Sequence, residues 1–231
     1  MSKHPLDRPV WSALTTRHAR HSQGDAMARR YVPSIWPFIA ARDDSPESLQ
    51  ALAHLVQAGE SLVLLQADEI ILPPGVAVVA TAAAVQMIAE RPSVIERDSR
   101  IEQLQEADAP AMLALAELTK PGPFSQRALE LGEFWGLKEN GALVAMAGER
   151  LKQQGFTELS GVCCHPDVRG RGYARLLSMF VAGRILRRGE TPYLHAYATN
   201  EAAIALYQSI GFTLRSAMNV AVVERLWRQL P

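Results

Sequence analysis

The segment from Glu158 to Ala174 combines an apolar stretch, a proline-led turn and two glycines, Gly170 and Gly172. The residues after Gly172 continue with the spacing of an α-helix. A glycine-rich turn between a strand and a helix leaves several backbone N–H groups pointing outward at the positive end of the helix. Glycine has no side chain to block an approaching group, so such a turn suits a phosphate. The sequence therefore predicts a phosphate site at this turn.

Two helices, separated by a strand, are predicted after the turn and would frame it. The first spans about 172–188. Its apolar residues fall on one stripe, made of Tyr173, Leu176, Leu177, Phe180, Val181 and Ile185. The strand covers 191–198, and the second helix begins after Asn200, a good N-cap residue, and ends at Gly211. The turn is thus held between regular elements.

Charge and composition exclude several classes of partner. Lys and Arg number 24, and Asp and Glu also number 24, in a chain of 231 residues, so no net field attracts nucleic acid or an anionic membrane. The arginines near 184–188 lie in the last turn of a helix, where they favour its dipole. The most apolar run, 75–89, is interrupted by Gln86 and is too short to span a bilayer. We expect no nucleic-acid and no membrane partner.

The two cysteines and the first residues bear on location. Cys163 and Cys164 are adjacent, so on a strand their side chains point to opposite faces and make neither a disulfide framework nor a good metal site. The N-terminal residues have no continuous apolar region of the kind found in signal peptides. We therefore expect a cytoplasmic protein that holds no metal.

Residues 1–92 show no spacing typical of a catalytic motif. A short helix is predicted over 11–20, and a second helix opens at Ser45, followed by Pro and an acidic first turn. Strands are predicted at 61–66 and 76–80. This region is interpreted as an α/β support region.

The residues before the phosphate turn predict a strand, helices and a hairpin. A strand at 100–104 leads to Asp108, a plausible N-cap for a helix over 109–118, and a second helical stretch covers 125–131. Asn140-Gly141 between two apolar runs is the strongest short-range hairpin signal. Two further strands are predicted at the end of the chain, over 212–215 and 219–224.

From about residue 97 to the end, the chain resembles the GNAT superfamily of acyl-CoA-dependent N-acyltransferases, and within it the glycine N-acyltransferase-like branch. The family's phosphate signature is Gln or Arg, two residues, Gly, one residue, and Gly or Ala. It is met by Arg169, Gly172 and Ala174. A later signature is met by Asn200, Ala203, Leu206, Tyr207, Gly211 and Phe212. The resemblance implies an α/β (α+β) fold in which helices flank a mixed, mostly antiparallel sheet.

The resemblance also implies a domain division and a donor site. Residues 93–231 would form a catalytic acetyltransferase domain, and 1–92 would be a support region similar to a degenerate half of the same fold. Acetyl-CoA would be the acyl donor, with its pantetheine arm on one strand and its pyrophosphate on the turn. The residues expected to bind it are Val162, Cys163, Cys164, Arg169, Gly170, Arg171, Gly172, Tyr173, Ala174, Arg175 and Asn200.

Proton transfer is assigned by the same resemblance. Tyr207 occupies the position of a general acid that protonates the departing thiolate, and Glu158 lies where some members keep a general base. An amine is protonated at neutral pH and must lose a proton before it attacks a thioester. Glu149 is an alternative base, as is a chain of waters. His195, which by strand alternation shares a side with Tyr197, is a further candidate for the acceptor cleft.

Two other classes of function compete with acyl transfer. A dinucleotide-binding fold needs a small residue where Arg175 stands and a parallel strand order that the predicted hairpin contradicts. A P-loop is excluded because no Gly-Lys-Ser/Thr follows the turn. A non-catalytic CoA-binding sensor or interaction module is the remaining alternative. The acceptor has no recognisable code, so small amines, amino acids and peptide N-termini stay open, as does a homodimer.

Overall fold

The computed structural model describes residues 4–226 and divides into two compact units. One unit holds the described residues up to Val85 together with those from Ser216 onward, and the other holds Gln86–Arg215. The sequence placed a single boundary after residue 92. In the structure the chain changes unit twice, after Val85 and after Arg215. Each change falls within a long strand that contributes to both units.

The first unit is an α/β region, as the sequence predicted. Its elements in chain order are α1 (Pro9–Thr15), β1 (Ser22–Gly24), β2 (Ala28–Tyr31), β3 (Ile39–Ala41), α2 (Pro46–Leu55), β4 (Leu62–Gln66) and most of β5 (Val76–Ile88). The strands β1, β2 and β3 form an antiparallel sheet of their own. The sequence missed this sheet, because its strands are three or four residues long and lack a clear alternation.

Local signals set α2 as predicted. Ser45 accepts a hydrogen bond from the Ser48 N–H, and Pro46 occupies the first turn. The apolar face of α2 packs on β2, β3 and β4 in a shared core. The buried members of that core are Ala28, Ile39, Ala41, Leu52, Val56, Leu62, Leu64, Val76, Ala221 and Val223.

The second unit carries the two motifs. Its elements are β6 (Ile101–Gln103), α3 (Ala109–Thr119), β7 (Phe134–Glu139), β8 (Ala142–Gln153), β9 (Phe156–Cys164), α4 (Tyr173–Arg187), β10 (Thr191–Tyr197), α5 (Glu201–Ser209) and the start of β11 (Thr213–Arg225). The strands β6 to β9 pair antiparallel in sequence order, and β10 pairs parallel with β9. A mixed, mostly antiparallel sheet flanked by helices was predicted, and the structure confirms it.

Several predicted elements differ in extent. The stretch predicted as a second helix over 125–131 contains a single 3₁₀ turn, Ala128–Glu130. The two strands predicted at the end of the chain are one continuous strand, β11. The hairpin is confirmed: Asn140 and Gly141 have φ angles of 51° and 81° between β7 and β8. No helix among residues 4–226 is long and apolar enough to cross a bilayer.

Candidate active site

The predicted phosphate turn has the backbone that its glycines allow. Gly170 and Gly172 have φ angles of +77° and +78°, and α4 begins directly after Gly172. No neighbouring atom lies within 4 Å of a Cβ placed on either glycine. Glycine is therefore required at these positions for the left-handed conformation, and the space in front of them is open. The first turn of α4 has neither an acidic residue nor a side-chain cap, and N–H groups at the start of a helix are suited to bind an anion.

A cleft of about 490 Å³ opens at this turn. Of the residues predicted to bind the donor, all except Arg171 line it: Val162, Cys163, Cys164, Arg169, Gly170, Gly172, Tyr173, Ala174, Arg175 and Asn200. The guanidinium of Arg171 instead lies 3.1 Å from Glu139 on an exposed surface. Ten of these eleven residues therefore lie on one cleft, and their role in binding a donor stays a prediction.

Further residues of the cleft were not predicted. The end of α3 contributes Thr119, Lys120 and Pro121, and Val168 and Leu206 also line the wall. Lys120 has a φ of 50° and ends the helix in the left-handed conformation. The proline–glycine break after residue 119 was visible in the sequence, but its position across from the turn depends on how α3 packs on β8 and β9.

The end of β9 lines the cleft, and a wedge lies beside it where β9 and β10 separate. Their parallel pairing runs from Thr191–Phe156 to Tyr193–Glu158. Beyond it both strands continue, without further pairing to each other among the described residues. Backbone groups at the end of β9 are thus turned to the cleft, where an extended molecule can form strand-like hydrogen bonds.

A bulge at Gly161 shapes this wedge. The pairing of β8 with β9 shifts between Met146–Cys163 and Gly148–Ser160, so β9 carries an extra residue there. Gly161 has a φ of +64°, and a Cβ on it would lie 2.8 Å from the Phe134 ring. Both the backbone conformation and the close aromatic ring require glycine at this position.

Tyr207 lies on α5 next to Leu206, which lines the cleft, but is not itself a lining residue. It is largely buried, and its ring packs edge-on against Phe212 with centroids 6.0 Å apart. Burial, together with the nearby thiols of Cys163 and Cys164, raises the pKa of the Tyr207 hydroxyl above its usual range. The phenol therefore stays protonated at neutral pH and can serve as a donor.

Burial makes the two cysteines of the cleft wall poor nucleophiles. Burial raises the pKa of the Cys163 thiol to about 12, and burial also raises the pKa of Cys164. A thiol is nucleophilic as the thiolate, so neither cysteine is suited to form a covalent intermediate at neutral pH.

Glu158 is fully buried on β9 and is surrounded by donors. Arg150 binds it through two hydrogen bonds, Nε to Oε2 at 2.8 Å and Nη2 to Oε1 at 2.6 Å. The Leu151 N–H lies 3.2 Å from Oε2, and His195 Nδ1 lies 2.7 Å from Oε1. Burial alone would raise the pKa of this carboxyl, but the Arg150 guanidinium and the His195 hydrogen bond lower it to about 2. Whether Glu158 is the base stays a prediction.

His195 links Glu158 to a second side-chain pair. Its Nε2 lies 2.9 Å from the Gln86 amide nitrogen, and the Gln86 oxygen accepts a 2.7 Å hydrogen bond from Arg215. The His195 ring also stacks edge-on against Tyr193 at 5.6 Å. Sequence reasoning named His195 but missed Gln86, Arg150 and Arg215, since only strand pairing brings them together.

Glu149, the alternative base, faces a different neighbourhood. Its carboxylate is fully buried and lies 2.5 Å from Arg188 and 2.7 Å from Lys152. Arg188 directly follows α4, so Glu149 faces that helix. Arg150, the next residue of β8, instead turns its side chain to Glu158.

Comparison with known proteins identifies relatives of this chain. Residues 135–221 match a family model described as FR47-like protein. The chain is 31% identical over 118 residues to the ribosomal protein bS18-alanine N-acetyltransferase of Escherichia coli, covering 48% of this chain and 79% of that enzyme.

Solved structures extend the likeness to the whole chain. A crystal structure from Novosphingobium aromaticivorans, named as an acetyltransferase from the GNAT family, superposes with a TM-score of 0.90 at 39% identity, covering 97% of this chain and 100% of that one. A GCN5-related N-acetyltransferase from Kribbella flavida shares the fold, with a TM-score of 0.63, 16% identity and coverage of 94% and 95%. By sequence and by structure, this chain belongs to the GNAT family of acetyltransferases.

Proposed function

We propose that this protein transfers an acetyl group from acetyl-CoA to a primary amine, with both substrates bound at once. The observation that carries the proposal is the junction of two features in one cleft. The open N-terminus of α4 lies at one part of the wall, and the end of β9, which is not paired with β10, lies at another. A pyrophosphate and a peptide-like arm on the same molecule would satisfy both.

The chain offers a separate group for each part of the donor. Backbone groups of Val162, Cys163 and Cys164 would bind the pantetheine arm, and N–H groups between Gly170 and Arg175 would bind the pyrophosphate. Asn200, whose side chain accepts the Ala203 N–H at 3.1 Å, would contact the arm through its remaining polar atoms. Direct attack by the amine fits this cleft, because the raised pKa values of both thiols disfavour a cysteine nucleophile.

Tyr207 would protonate the CoA thiolate as it leaves. Its hydroxyl remains protonated at neutral pH, and the thiols of Cys163 and Cys164 that raise its pKa mark its place beside the end of β9. Glu158 enters the reaction through its contact with His195, since its oxygens are already occupied by donors.

The acceptor class is narrowed by the Escherichia coli relative, whose name gives the alanine of a ribosomal protein as its acceptor. A peptide N-terminus is accordingly one candidate, and glycine is the candidate that the glycine N-acyltransferase-like branch supplies. We propose a primary amine as the shared group, acting in the cytoplasm.

Acceptor screening tests the activity directly. Purified protein is mixed with acetyl-CoA and a panel of glycine, ethanolamine, spermidine and a peptide that begins with alanine, and free-thiol release is followed. Acetylation of at least one amine, verified by mass spectrometry, is expected. Thermal unfolding is measured in parallel: acetyl-CoA should raise the melting temperature and NADH should not. The reverse thermal result would exclude the acyltransferase assignment.

Tyr207→Phe separates catalysis from binding. The variant should retain acetyl-CoA binding near that of the wild type while turnover falls by about 10²-fold or more. Tyr31→Phe is the matched control, because it also removes one hydroxyl from a buried tyrosine, which is bonded to His18 and is not among the residues that line the cleft. If acetyl-CoA binds but no amine is acetylated, the protein is a CoA-binding sensor, and unchanged turnover in Tyr207→Phe would remove Tyr207 from the mechanism.

A further inference from the structure

A continuous chain of polar side chains runs across the sheet of the second unit. It passes from Arg150 to Glu158, His195, Gln86 and Arg215, on the strands β8, β9, β10, β5 and β11. Successive heavy-atom distances are 2.6, 2.7, 2.9 and 2.7 Å. Glu158 and Gln86 are fully buried, and the His195 side chain is 6% exposed. Burial of these polar groups costs free energy unless each donor meets an acceptor.

The arginines at the two ends determine the direction of each hydrogen bond. Arg215 can only donate, so the Gln86 oxygen accepts from it and the Gln86 NH₂ faces His195. His195 Nε2 must therefore accept. On the other side of the ring, Nδ1–H donates to the Glu158 carboxylate. The network thus assigns one neutral tautomer, with the proton on Nδ1 and the lone pair on Nε2.

Glu158 is poorly suited to take a substrate proton itself. Its two oxygens accept four hydrogen bonds, from Arg150, Leu151 and His195. Its pKa, lowered to about 2, makes it a far weaker base than an amine. A carboxylate held in this way orients the imidazole and stabilises the imidazolium that forms on protonation.

His195 lies on β10 at the wedge between β9 and β10. The last paired residues of β9 and β10 are Glu158 and Tyr193, and His195 lies two residues further along β10, where the strands have separated. The thiols of Cys163 and Cys164, which influence Tyr207, lie further along β9. An arm that follows β9 from the phosphate turn towards Glu158 would pass Tyr207 first and end near His195.

We propose that His195 is the general base that takes the proton of the acceptor ammonium at Nε2, and that Glu158, held by Arg150, is its positioning residue. The inference rests on the proposed acetyl transfer. The ammonium N–H⁺ displaces the Gln86 NH₂ from Nε2, because a charged donor forms the stronger hydrogen bond. One proton passes from nitrogen to Nε2, leaving a neutral amine and an imidazolium on Glu158.

The remaining steps balance in protons and electrons. The amine lone pair forms the new C–N bond, the C–S bond breaks, and its electron pair leaves on sulfur. The thiolate takes the proton of Tyr207. After the C–N bond has formed, the nitrogen still carries one proton too many. That proton passes through solvent to Tyr207 and restores its phenol form. His195 releases its proton to solvent, so the overall reaction liberates one proton for each acetyl group transferred.

A first test needs no acceptor. Nitrogen-15 NMR of the free protein should show one histidine with a protonated Nδ1, an unprotonated Nε2 and a downfield Nδ1–H signal, absent in His195→Gln. In Glu158→Gln the downfield signal should move upfield by more than 1 ppm, an order-of-magnitude expectation for loss of a charged hydrogen-bond partner. The proposal would be overturned if His195 carried its proton on Nε2.

A second test uses the best amine of the acceptor panel. His195→Gln should lower kcat by about 10²-fold or more with KM for acetyl-CoA nearly unchanged, while His54→Gln, at an exposed site on α2, should match the wild type. Gln86→Glu has nearly the same shape, but its carboxylate favours a doubly protonated His195. It should therefore lower kcat by at least 10-fold although the fold is kept.

Methylamine and methoxyamine, at high concentration, distinguish proton removal from loss of structure. Methoxyamine is neutral at pH 7 and needs no base before it attacks. His195→Gln should therefore lose far more activity with methylamine or the panel amine than with methoxyamine. Equal losses with both kinds of acceptor, or wild-type kcat in His195→Gln, would refute the role of His195. Failure of the wild type with every amine would refute the proposed function instead.

Discussion

Replacing Glu158 by glutamine removes one buried negative charge and leaves the shape of the side chain nearly unchanged. Glu158 faces the Arg150 guanidinium in a pair whose side chains are 1% and 10% exposed. The variant leaves that guanidinium without its anionic partner, and such a loss costs about 3–5 kcal/mol in buried pairs. We expect Glu158→Gln to fold and to be clearly less stable at pH 7.

The lowered pKa of Glu158 gives a second way to calculate how much stability its negative charge contributes. A shift from 4.5 to about 2, at about 1.4 kcal/mol per pKa unit, corresponds to roughly 3–4 kcal/mol. Both routes predict a loss of a few kcal/mol. Because the folded-state pKa is lowered, this contribution is fully present above pH 4.5 and is lost as pH falls through the folded value, near 2.

Urea unfolding, followed by tryptophan fluorescence, measures this effect. The difference in unfolding free energy between wild type and Glu158→Gln should be constant from pH 7 to about pH 5 and should shrink steadily below pH 4.5. Glu102→Gln is the control, since that carboxylate is 56% exposed and lies 3.3 Å from Lys138; its effect should stay within about 0.5 kcal/mol. Equal stability of Glu158→Gln and wild type at pH 7, or a difference that persists unchanged to pH 3, would refute the assignment of a strong buried pair.

Three further predictions concern the wall of the cleft. Gly161→Ala should destabilise the protein by about 1–2 kcal/mol or more and weaken acetyl-CoA binding, because alanine is strained at φ +64° and its Cβ would meet the Phe134 ring at 2.8 Å; calorimetry and urea unfolding measure both, and wild-type values in both would contradict the bulge geometry. Cys163 should react with iodoacetamide at pH 8 much more slowly than a free cysteine, since burial raises its pKa to about 12; mass spectrometry follows the reaction, and rapid alkylation would show that the site is open. Asn200→Ala should cost about 1 kcal/mol through loss of the cap on the Ala203 N–H, whereas Asn200→Asp, which keeps an acceptor oxygen, should restore most of that stability.

The glycine-rich turn and the helix that follows it were predictable because their signals are local. Positive φ at Gly170 and Gly172 is a property of the residue type within a short stretch of chain. The Asn140-Gly141 hairpin and the Asn200 cap are equally local. All these features lie within four residues of the positions that specify them.

The contacts of Glu158 were not predictable in the same way. The family resemblance marked it as a candidate base, but that resemblance says nothing of its neighbours. Arg150 reaches it across the β8–β9 pairing, and His195 reaches it across the parallel β9–β10 pairing. A shift of one residue in either register would move these side chains to the opposite face of the sheet. The sequence does not show such a register directly.

The amino-acid sequence by itself determined the family resemblance, the glycine-rich turn and most of the residues that line its cleft, because glycine conformation and helix capping act over a few residues. The tertiary structure alone decided that β9 and β10 separate after Glu158 and Tyr193, that Gly161 lies against Phe134, and that Glu158 is enclosed by donors. These features depend on strand register and on the partners that burial provides. Burial and charge together set the protonation state of each group, and both are properties of the folded chain.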